Sequence, residues 1–171
     1  TCALPISLVS PAIPADHGKL RQMFTSGSSG TPVKVVTTEL AQFFWRVLTL
    51  RDHEWHKRDL SGQLAVIRRG ARDKGRAPDG TTSSSWGPAS AIVADTGPSH
   101  LLNIATPLEQ QVDWLLRRNP HYLISFPSNF MALLDYAESH HLQLSNLRQV
   151  CKIGRSSWRE NMQVVTVDGV W

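Results

Sequence analysis

Apolar residues in the first third of the chain recur with the period of a helix. One face is formed by residues at steps of three and four positions: Leu40, Phe43, Phe44, Val47 and Leu48. This spacing predicts a helix that runs to about Arg51, with Thr37 or Thr38 as its N-cap and Glu39 in its first turn. We expect the apolar face to be core, and Trp55 beyond it to pack as well.

The second half of the chain alternates predicted helices and strands. A helix is expected to begin at Thr106-Pro107-Leu108-Glu109, with Thr106 as its cap and Pro107 as its first residue, and to stop at Asn119-Pro120. A buried strand over 122–126 should follow, and Ser128 should cap a second helix. The apolar faces of the two helices comprise Leu108, Val112, Leu115 and Leu116, and Phe130, Leu133, Leu134 and Ala137.

A last strand is predicted over 147–153. Helix, strand, helix and strand at this spacing imply parallel β-α-β units with right-handed crossovers, and the fold class is therefore α/β. Ligands of such sheets bind outside the carboxyl ends of the strands. Phe126, Pro127 and Ser128 occupy that kind of position, although a turn and a helix cap are the simpler role for Pro127 and Ser128.

Short apolar segments and a basic stretch lie in the middle of the chain. Residues 63–67 predict a buried strand, and residues 89–94 predict a second short strand. Basic residues mixed with glycine and proline fill 68–80, which favours a solvated, mobile loop over an anion-binding patch. Residues 81–85 should extend this loop, and Trp86-Gly87-Pro88 should close it.

A stretch rich in glycine and hydroxyl groups, Thr25-Ser26-Gly27-Ser28-Ser29-Gly30-Thr31-Pro32-Val33-Lys34, lies between apolar or β-branched segments. We expect strand, tight loop and strand here, in a hairpin over 20–36. Gly27 and Gly30 can adopt backbone angles closed to other residues, so that consecutive amides turn inward. Inward amides, hydroxyls and the Lys34 ammonium suit a polyphosphate, because its oxygens only accept hydrogen bonds.

The composition of this stretch also fits a flexible hairpin loop or linker. The stretch is not a P-loop of the GxxxxGK[ST] type, because Lys34 lies four residues after Gly30 and no Ser or Thr follows it directly. The order of its residues is therefore more informative than their composition.

Thr-Ser-Gly-Ser-Ser-Gly-Thr-Pro followed closely by Lys34 resembles the phosphate-binding signature of the adenylate-forming superfamily, which includes acyl- and aryl-CoA ligases. Within it, the chain is most similar to the phenylacetate–CoA ligase-like branch, over about residues 20–153. The resemblance continues in Thr37-Thr38, in Arg51-Asp52-His53-Glu54-Trp55 and in Tyr122-Leu123-Ile124-Ser125-Phe126-Pro127-Ser128. The chain departs from many members in the Val33 that separates Pro32 from Lys34.

The resemblance implies a reaction in which a carboxylate attacks the α-phosphate of ATP, pyrophosphate leaves, and the acyl-adenylate passes its acyl group to CoA. The partner is then a small-molecule carboxylic acid, and Mg²⁺ accompanies ATP. The β- and γ-phosphates would be held by Thr25, Ser26, Ser28, Ser29 and Thr31, by the amides around Gly27 and Gly30, and by the charge of Lys34. Phe126, Pro127 and Ser128 correspond to a segment near the acyl-substrate pocket.

Both ends of the chain look foreign to such a domain. Thr1-Cys2-Ala3-Leu4-Pro5-Ile6 resembles a translated sequencing adapter, and 154–171 is a tail of uncertain origin, loosely similar to an adapter at its start. We expect an extended segment over 1–19 and a fragment of the ATP-binding domain over 20–153. Because the sequence lacks a Tyr-Gly-x-Thr-Glu-like adenine motif and the C-terminal catalytic lysine domain, we expect the parent, but not this chain alone, to turn over ATP.

Charge and composition narrow the partners. A net charge of +4 suits an anionic ligand such as ATP or CoA, but it is too small and scattered to indicate nucleic acid. No apolar run approaches the ~20 residues of a membrane span. Two cysteines give neither a disulfide framework nor a metal site, so a cytoplasmic setting is the expectation.

Two further patterns bear on metal binding and on nucleophilic catalysis. His53 and His56 have His-x-x-His spacing, which we interpret as solvated histidines at a helix end and not as metal ligands. No catalytic triad is visible, and a Ser–His pair brought together in space stays open. Two alternative functions also stay open: a non-catalytic α/β binding module, and an enzyme that transfers the acyl group to a protein thiol. The acid and the oligomeric state are not indicated.

Overall fold

The computed structural model of the chain describes residues 7–8, 10, 12–24, 34–70, 74–152 and 164–166. The chain divides into two compact units, Thr1–Asp52 and His53–Trp171. Within the described residues, the first unit has a three-stranded sheet and the second a six-stranded sheet.

The first unit is built on an antiparallel hairpin. Strands β2 (Leu20–Phe24) and β3 (Lys34–Thr38) pair along their whole length, and the short strand β1 (Ser7–Leu8) lies parallel to β3 on its other side. The two longer strands confirm the strands of the predicted hairpin. The connecting residues 25–33 lie outside the described part of the chain.

Helix α1 (Glu39–Trp55) follows β3 directly. The Thr38 hydroxyl oxygen accepts a hydrogen bond of 3.1 Å from the Ala41 N–H, which confirms Thr38 as the capping residue. The Glu39 carboxylate also accepts the backbone N–H of Lys19, at 3.1 Å. The helix continues about one turn beyond the predicted end at Arg51.

The apolar face of α1 is not core, contrary to the prediction. No residue of the helix is buried, and Phe44 and Trp55 are 56% and 68% exposed. The other members of the face are exposed as well: Leu40, Phe43, Val47 and Leu48. Helical spacing decides which side chains share a face, but the face is buried only where another element covers it.

The second unit contains six strands in its described residues. They are β4 (Leu64–Arg68), β5 (Thr81–Ser83), β6 (Ser99–Asn103), β7 (Tyr122–Ser125), β8 (Gln149–Lys152) and β9 (Val164–Thr166). Their order in the sheet is β5-β6-β4-β7-β8-β9. The four central strands are parallel, and β5 and β9 are antiparallel to their neighbours at the two edges. The α/β class and the parallel pairing of β7 with β8 agree with the sequence analysis.

Three segments of this sheet differ from the sequence-based expectation. Residues 81–83 form strand β5 and are not loop, because they pair with β6. Ser90–Ile92 form a single 3-10 turn and not the second short strand predicted over 89–94. Strand β6 was not predicted, because the Ser, His and Asn in it weaken the β signal of its two leucines.

Helices α2 (Leu108–Arg118) and α3 (Pro127–Ser139) connect the parallel strands. As predicted, α2 ends at Asn119, which adopts a left-handed conformation and donates its N–H to the Leu115 carbonyl oxygen at 2.7 Å. The predicted caps Thr106 and Ser128 are wrong. Pro107 and Phe126 occupy the N-cap positions, and neither makes a side-chain cap bond.

A proline gives the physical reason for the shifted start of α3. Pro127 is the first residue of α3, where a missing N–H costs nothing, so Ser128 falls inside the first turn.

The core of the second unit joins the two helices to the parallel strands. Its fully buried members include Ala65, Ile67, Leu102, Trp114, Leu123 and Val150.

Candidate functional site

The predicted phosphate loop can be placed only through the strands that carry it. Thr25, Ser26, Gly27, Ser28, Ser29, Gly30 and Thr31 lie outside the described residues. Phe24 and Lys34 flank residues 25–33 and are aligned partners in the antiparallel register. Their Cα atoms therefore lie about 5 Å apart. Lys34 is half-buried and is the first residue of β3. It therefore stands where the second strand of the hairpin leaves the loop.

The second candidate region is the carboxyl edge of the parallel strands in the second unit. The chain passes from β4 to β6 on one side and then to β7 on the other, so the strand order reverses at β4. Ligands of open α/β sheets bind outside the carboxyl ends at such a reversal. Phe126, Pro127 and Ser128 follow β7 directly at this edge, where Phe126 is half-buried and the other two are exposed.

A buried amide lies beside these three residues. Gln111 is only 2% exposed, and its Nε2 donates to the backbone carbonyl oxygens of Ile104 (3.3 Å) and Thr106 (2.7 Å). Its Oε1 accepts a hydrogen bond of 2.9 Å from the Asn129 Nδ2, which also donates to the Ser125 hydroxyl oxygen at 3.0 Å. The Ser125 hydroxyl in turn donates to the Ile67 carbonyl oxygen at 3.3 Å.

The two backbone carbonyls fix how this network is oriented. A carbonyl oxygen only accepts, so the atom of Gln111 that faces Ile104 and Thr106 must be Nε2. Its Oε1 then faces Asn129 and requires the Nδ2 of that residue on the same side. Sequence analysis missed these residues, although a glutamine between Leu108 and Val112 on an apolar helix face was the available signal.

In its described part, the basic stretch after β4 is loop, as predicted, and it is hydrogen-bonded to neighbouring elements of the same unit. Gly75 is buried, and its carbonyl oxygen accepts the Asn103 N–H at 2.7 Å. Arg117 and Arg118 donate from α2 to the carbonyl oxygens of Pro78 and Asp79, at 2.8 and 3.0 Å. The side chains of the basic residues in the stretch, Arg68, Arg69, Lys74 and Arg76, are exposed.

At the opposite, amino edge of the sheet, His53 contacts a buried arginine. The guanidinium of Arg58 lies 2.8 Å from the His53 Nδ1, and its Nε donates to the Gln149 Oε1 at 3.3 Å. Trp86 packs edge-on against both His53 and Tyr122. A cation beside Nδ1 is a poor environment for a metal ion. No group of three or more His, Cys, Asp or Glu side chains in the described residues could hold one.

Asp59 lies at the same edge and is held ionised. The Ser61 hydroxyl and backbone N–H donate to its carboxylate at 2.6 and 3.0 Å, and Arg148 lies 3.4 Å away. These contacts, with Ser61 first and the Arg148 charge after it, lower the pKa of Asp59 below its ordinary value. The carboxylate is exposed, and it caps the turn before β4.

Ser139 and His140, which are neighbours in the sequence, are in contact, but the geometry does not activate the serine. Ser139 Oγ lies 3.0 Å from the His140 Nδ1. The Ser139 hydroxyl donates to the Tyr136 carbonyl oxygen, and the His140 Nδ1 lies 2.9 Å from the same oxygen. Because that oxygen only accepts, Nδ1 carries the proton and cannot take one from Ser139.

His100 is the one histidine on a central strand and is buried. Its Nδ1 lies 3.0 Å from the Thr82 hydroxyl on β5. Burial, and secondly the positive charge of Arg118, lower the pKa of His100 below its ordinary value. Its neutral ring serves the packing of β5 on β6, where the Thr82 hydroxyl faces its Nδ1.

Comparison with known proteins adds no assignment. Neither a protein-family model nor a curated protein matches the chain. No helix among the described residues has the length and apolar character needed to cross a membrane. Two candidate regions follow from the geometry described above. They are the hairpin strands that flank residues 25–33 and, in the second unit, the carboxyl edge at Phe126–Ser128.

Proposed function

We propose that the chain is part of an ATP-dependent, carboxylate-activating ligase that forms an acyl-adenylate and passes the acyl group to CoA. The observation that carries this proposal is the order of residues in Thr25–Lys34, borne on a paired β-hairpin. A hairpin whose strands pair up to Phe24 and Lys34 provides the rigid support that a phosphate-binding loop needs.

The role of the loop would be to position ATP and to neutralise the departing pyrophosphate. The hydroxyls of Thr25, Ser26, Ser28, Ser29 and Thr31 and the amides around Gly27 and Gly30 would donate to the β- and γ-phosphates. Lys34 would add its charge at the end of the loop. In phosphoryl and adenylyl transfer such positioned donors supply most of what the protein contributes to the reaction.

Mg²⁺ would arrive bound to the phosphates of ATP, and we assign it no ligand from this chain. Mg²⁺ commonly binds through substrate phosphates and water with few protein ligands. CoA would be a co-substrate, as the acceptor of the acyl group.

The acid would bind near Phe126, Pro127 and Ser128. These residues follow β7 at the carboxyl edge of the parallel strands, where the strand order reverses. The half-buried ring of Phe126 would provide an apolar contact for the body of the acid, and the exposed Ser128 hydroxyl a polar one.

The test is ATP binding by the 171-residue chain, measured by titration calorimetry. Replacing both Gly27 and Gly30 with Val should abolish binding, because valine cannot adopt the backbone angles that turn the amides inward. Lys34→Met should weaken binding by about tenfold through the loss of one charge-assisted contact. Lys19→Met is the matched control, since Lys19 is an exposed lysine of the same unit.

Unchanged ATP affinity in the Gly27→Val/Gly30→Val variant would refute the phosphate-loop role. Pyrophosphate release from ATP in the presence of a panel of aryl and fatty acids tests the reaction itself; we expect it from the full-length protein and not from this chain alone. A ligase whose acceptor is a protein thiol would give the same pyrophosphate release, and only the transfer step to CoA separates the two enzymes.

A non-catalytic binding module is the second candidate function. The observation that favours it is the exposed apolar face of α1, because exposed apolar surface of this extent is typical of interaction sites. On this alternative the chain would bind no ATP, and titration of its loop variants with ATP would give the same result as titration of the unsubstituted chain.

A further inference from the structure

One hydrogen-bonded chain of side chains ties together the carboxyl ends of three neighbouring strands. It begins at the Ile67 carbonyl oxygen in β4, passes through Ser125 at the end of β7, and continues through Asn129 and Gln111. It ends on the carbonyl oxygens of Ile104 and Thr106, in the turn that follows β6. The strands that it connects are the three at which the sheet order reverses.

Burying these polar side chains costs free energy unless each of them is hydrogen-bonded. Gln111 and Ser125 are 2% and 0% exposed, and a buried amide or hydroxyl without partners costs about 1–3 kcal/mol. Gln111 keeps all its bonds only when the Ile104–Thr106 turn and the start of α3 keep their present separation, because it bonds to carbonyl oxygens of the first and to Asn129 in the second. Breaking one bond therefore leaves buried groups on both sides unsatisfied.

We propose that Gln111 and Asn129 are positioning residues, whose side-chain amides hold the start of α3, with Phe126, Pro127 and Ser128, against the Ile104–Thr106 turn and so shape the edge that receives the acid. The functional half of this inference rests on the proposed ligase function. Its geometric half stands on the hydrogen bonds alone. Gln111 is buried and does not itself line the edge. The half-buried Asn129, in the first turn of α3, joins it to Ser125 through the two hydrogen bonds of its Nδ2.

Amide hydrogen exchange tests the geometric half. Gln111→Met keeps the length of the side chain and removes both its donor and its acceptor. Exchange should accelerate about tenfold at two amides. The Thr106 N–H bonds to the Asn103 carbonyl oxygen in the turn after β6, and the Phe130 N–H bonds to the Phe126 carbonyl oxygen at the start of α3. The matched control is Gln110→Met, because Gln110 is the exposed neighbour of the same type on α2 and should leave both rates unchanged.

A milder variant covers the case in which Gln111→Met does not fold. Asn129→Asp keeps the shape of the side chain but replaces the Nδ2 donor with a carboxylate oxygen that faces the Gln111 Oε1. Exchange at Thr106 and Phe130 should again rise. Unchanged rates at both amides in either folded variant would overturn the positioning role.

Binding of acids to the same chain tests the functional half. Benzoate, phenylacetate and octanoate are the probes, and Gln111→Met should weaken the affinity for any acid that the parent chain binds by about tenfold. The ATP affinity should stay unchanged, which a general loss of folded protein would not allow. Equal acid affinity in Gln111→Met and Gln110→Met would overturn the substrate role of Gln111 and leave the ligase proposal standing. Failure of the unsubstituted 171-residue chain to bind any acid would instead overturn the placement of the acid at this edge.

Discussion

The indole N–H of Trp114 donates a hydrogen bond of 3.1 Å to the backbone carbonyl oxygen of Asp79. Trp114 is fully buried on α2, and Asp79 belongs to the segment that follows β4. The same carbonyl oxygen also accepts from Arg118, so two side chains of one helix hold this segment in place. The contacts tie a stretch rich in glycine, proline and charge to α2.

Trp114→Phe should lower the free energy of unfolding by about 2 kcal/mol, because it removes this hydrogen bond and leaves a cavity in the core. Urea unfolding followed by far-ultraviolet circular dichroism measures the change. Trp55→Phe is the control, since Trp55 is exposed and should change stability by less than about 0.5 kcal/mol. Equal effects of the two substitutions would contradict the placement of Trp114.

Gly80→Ala should destabilise the chain more than Gly87→Ala. Both glycines have positive φ, of 70° and 116°, so both substitutions carry backbone strain. A Cβ on Gly80 would lie 2.5 Å from the Leu101 carbonyl oxygen, whereas a Cβ on Gly87 would meet nothing within 4 Å. We expect the difference between the two unfolding free energies to be about 1 kcal/mol or more. A smaller loss for Gly80→Ala would show that β5 and β6 do not approach as described.

His100 should make stability depend on pH. Its pKa is lowered in the folded chain, so the unfolded chain binds more protons in the range below the ordinary value of about 6.5. The free energy of unfolding should therefore hold its full His100 contribution above that pH and lose it as the pH falls toward the folded pKa. Urea titrations between about pH 7.5 and about pH 5.5 measure this slope. The His100→Gln variant should have a shallower slope, and an identical one would count against the burial of a neutral imidazole.

Truncation of two leucines on different helices should change the free energy of unfolding by very different amounts. Leu133 on α3 is 1% exposed, and Leu133→Ala should cost about 2–5 kcal/mol through lost burial and the cavity left behind. Leu48 on α1 is 51% exposed, and Leu48→Ala should change the free energy of unfolding by less than about 0.5 kcal/mol. A large loss for Leu48→Ala would restore the original expectation that the apolar face of α1 is core.

Local signals in the sequence sufficed where an element depends mainly on its own residues. Thr38 caps α1 because its hydroxyl reaches an N–H only three residues away, and Asn119 ends α2 because Pro120 cannot continue a helix. The β-favouring run at 122–125 became a central strand for the same reason. The hairpin around the 25–33 loop was likewise predictable from its flanking strands.

The sequence by itself thus determined the α/β class, the three main helices, the parallel strands β4, β7 and β8, and the stretch at Thr25–Lys34 on which the proposed function rests. Only the tertiary structure decided that the apolar face of α1 is exposed, that 81–83 form an edge strand, and that Gln111 joins Asn129 beneath the carboxyl edge. Periodicity and caps act over a few neighbouring residues, so the sequence displays them directly. Burial and cross-strand hydrogen bonds depend on partners tens of residues away, and those partners are defined only when the chain has folded.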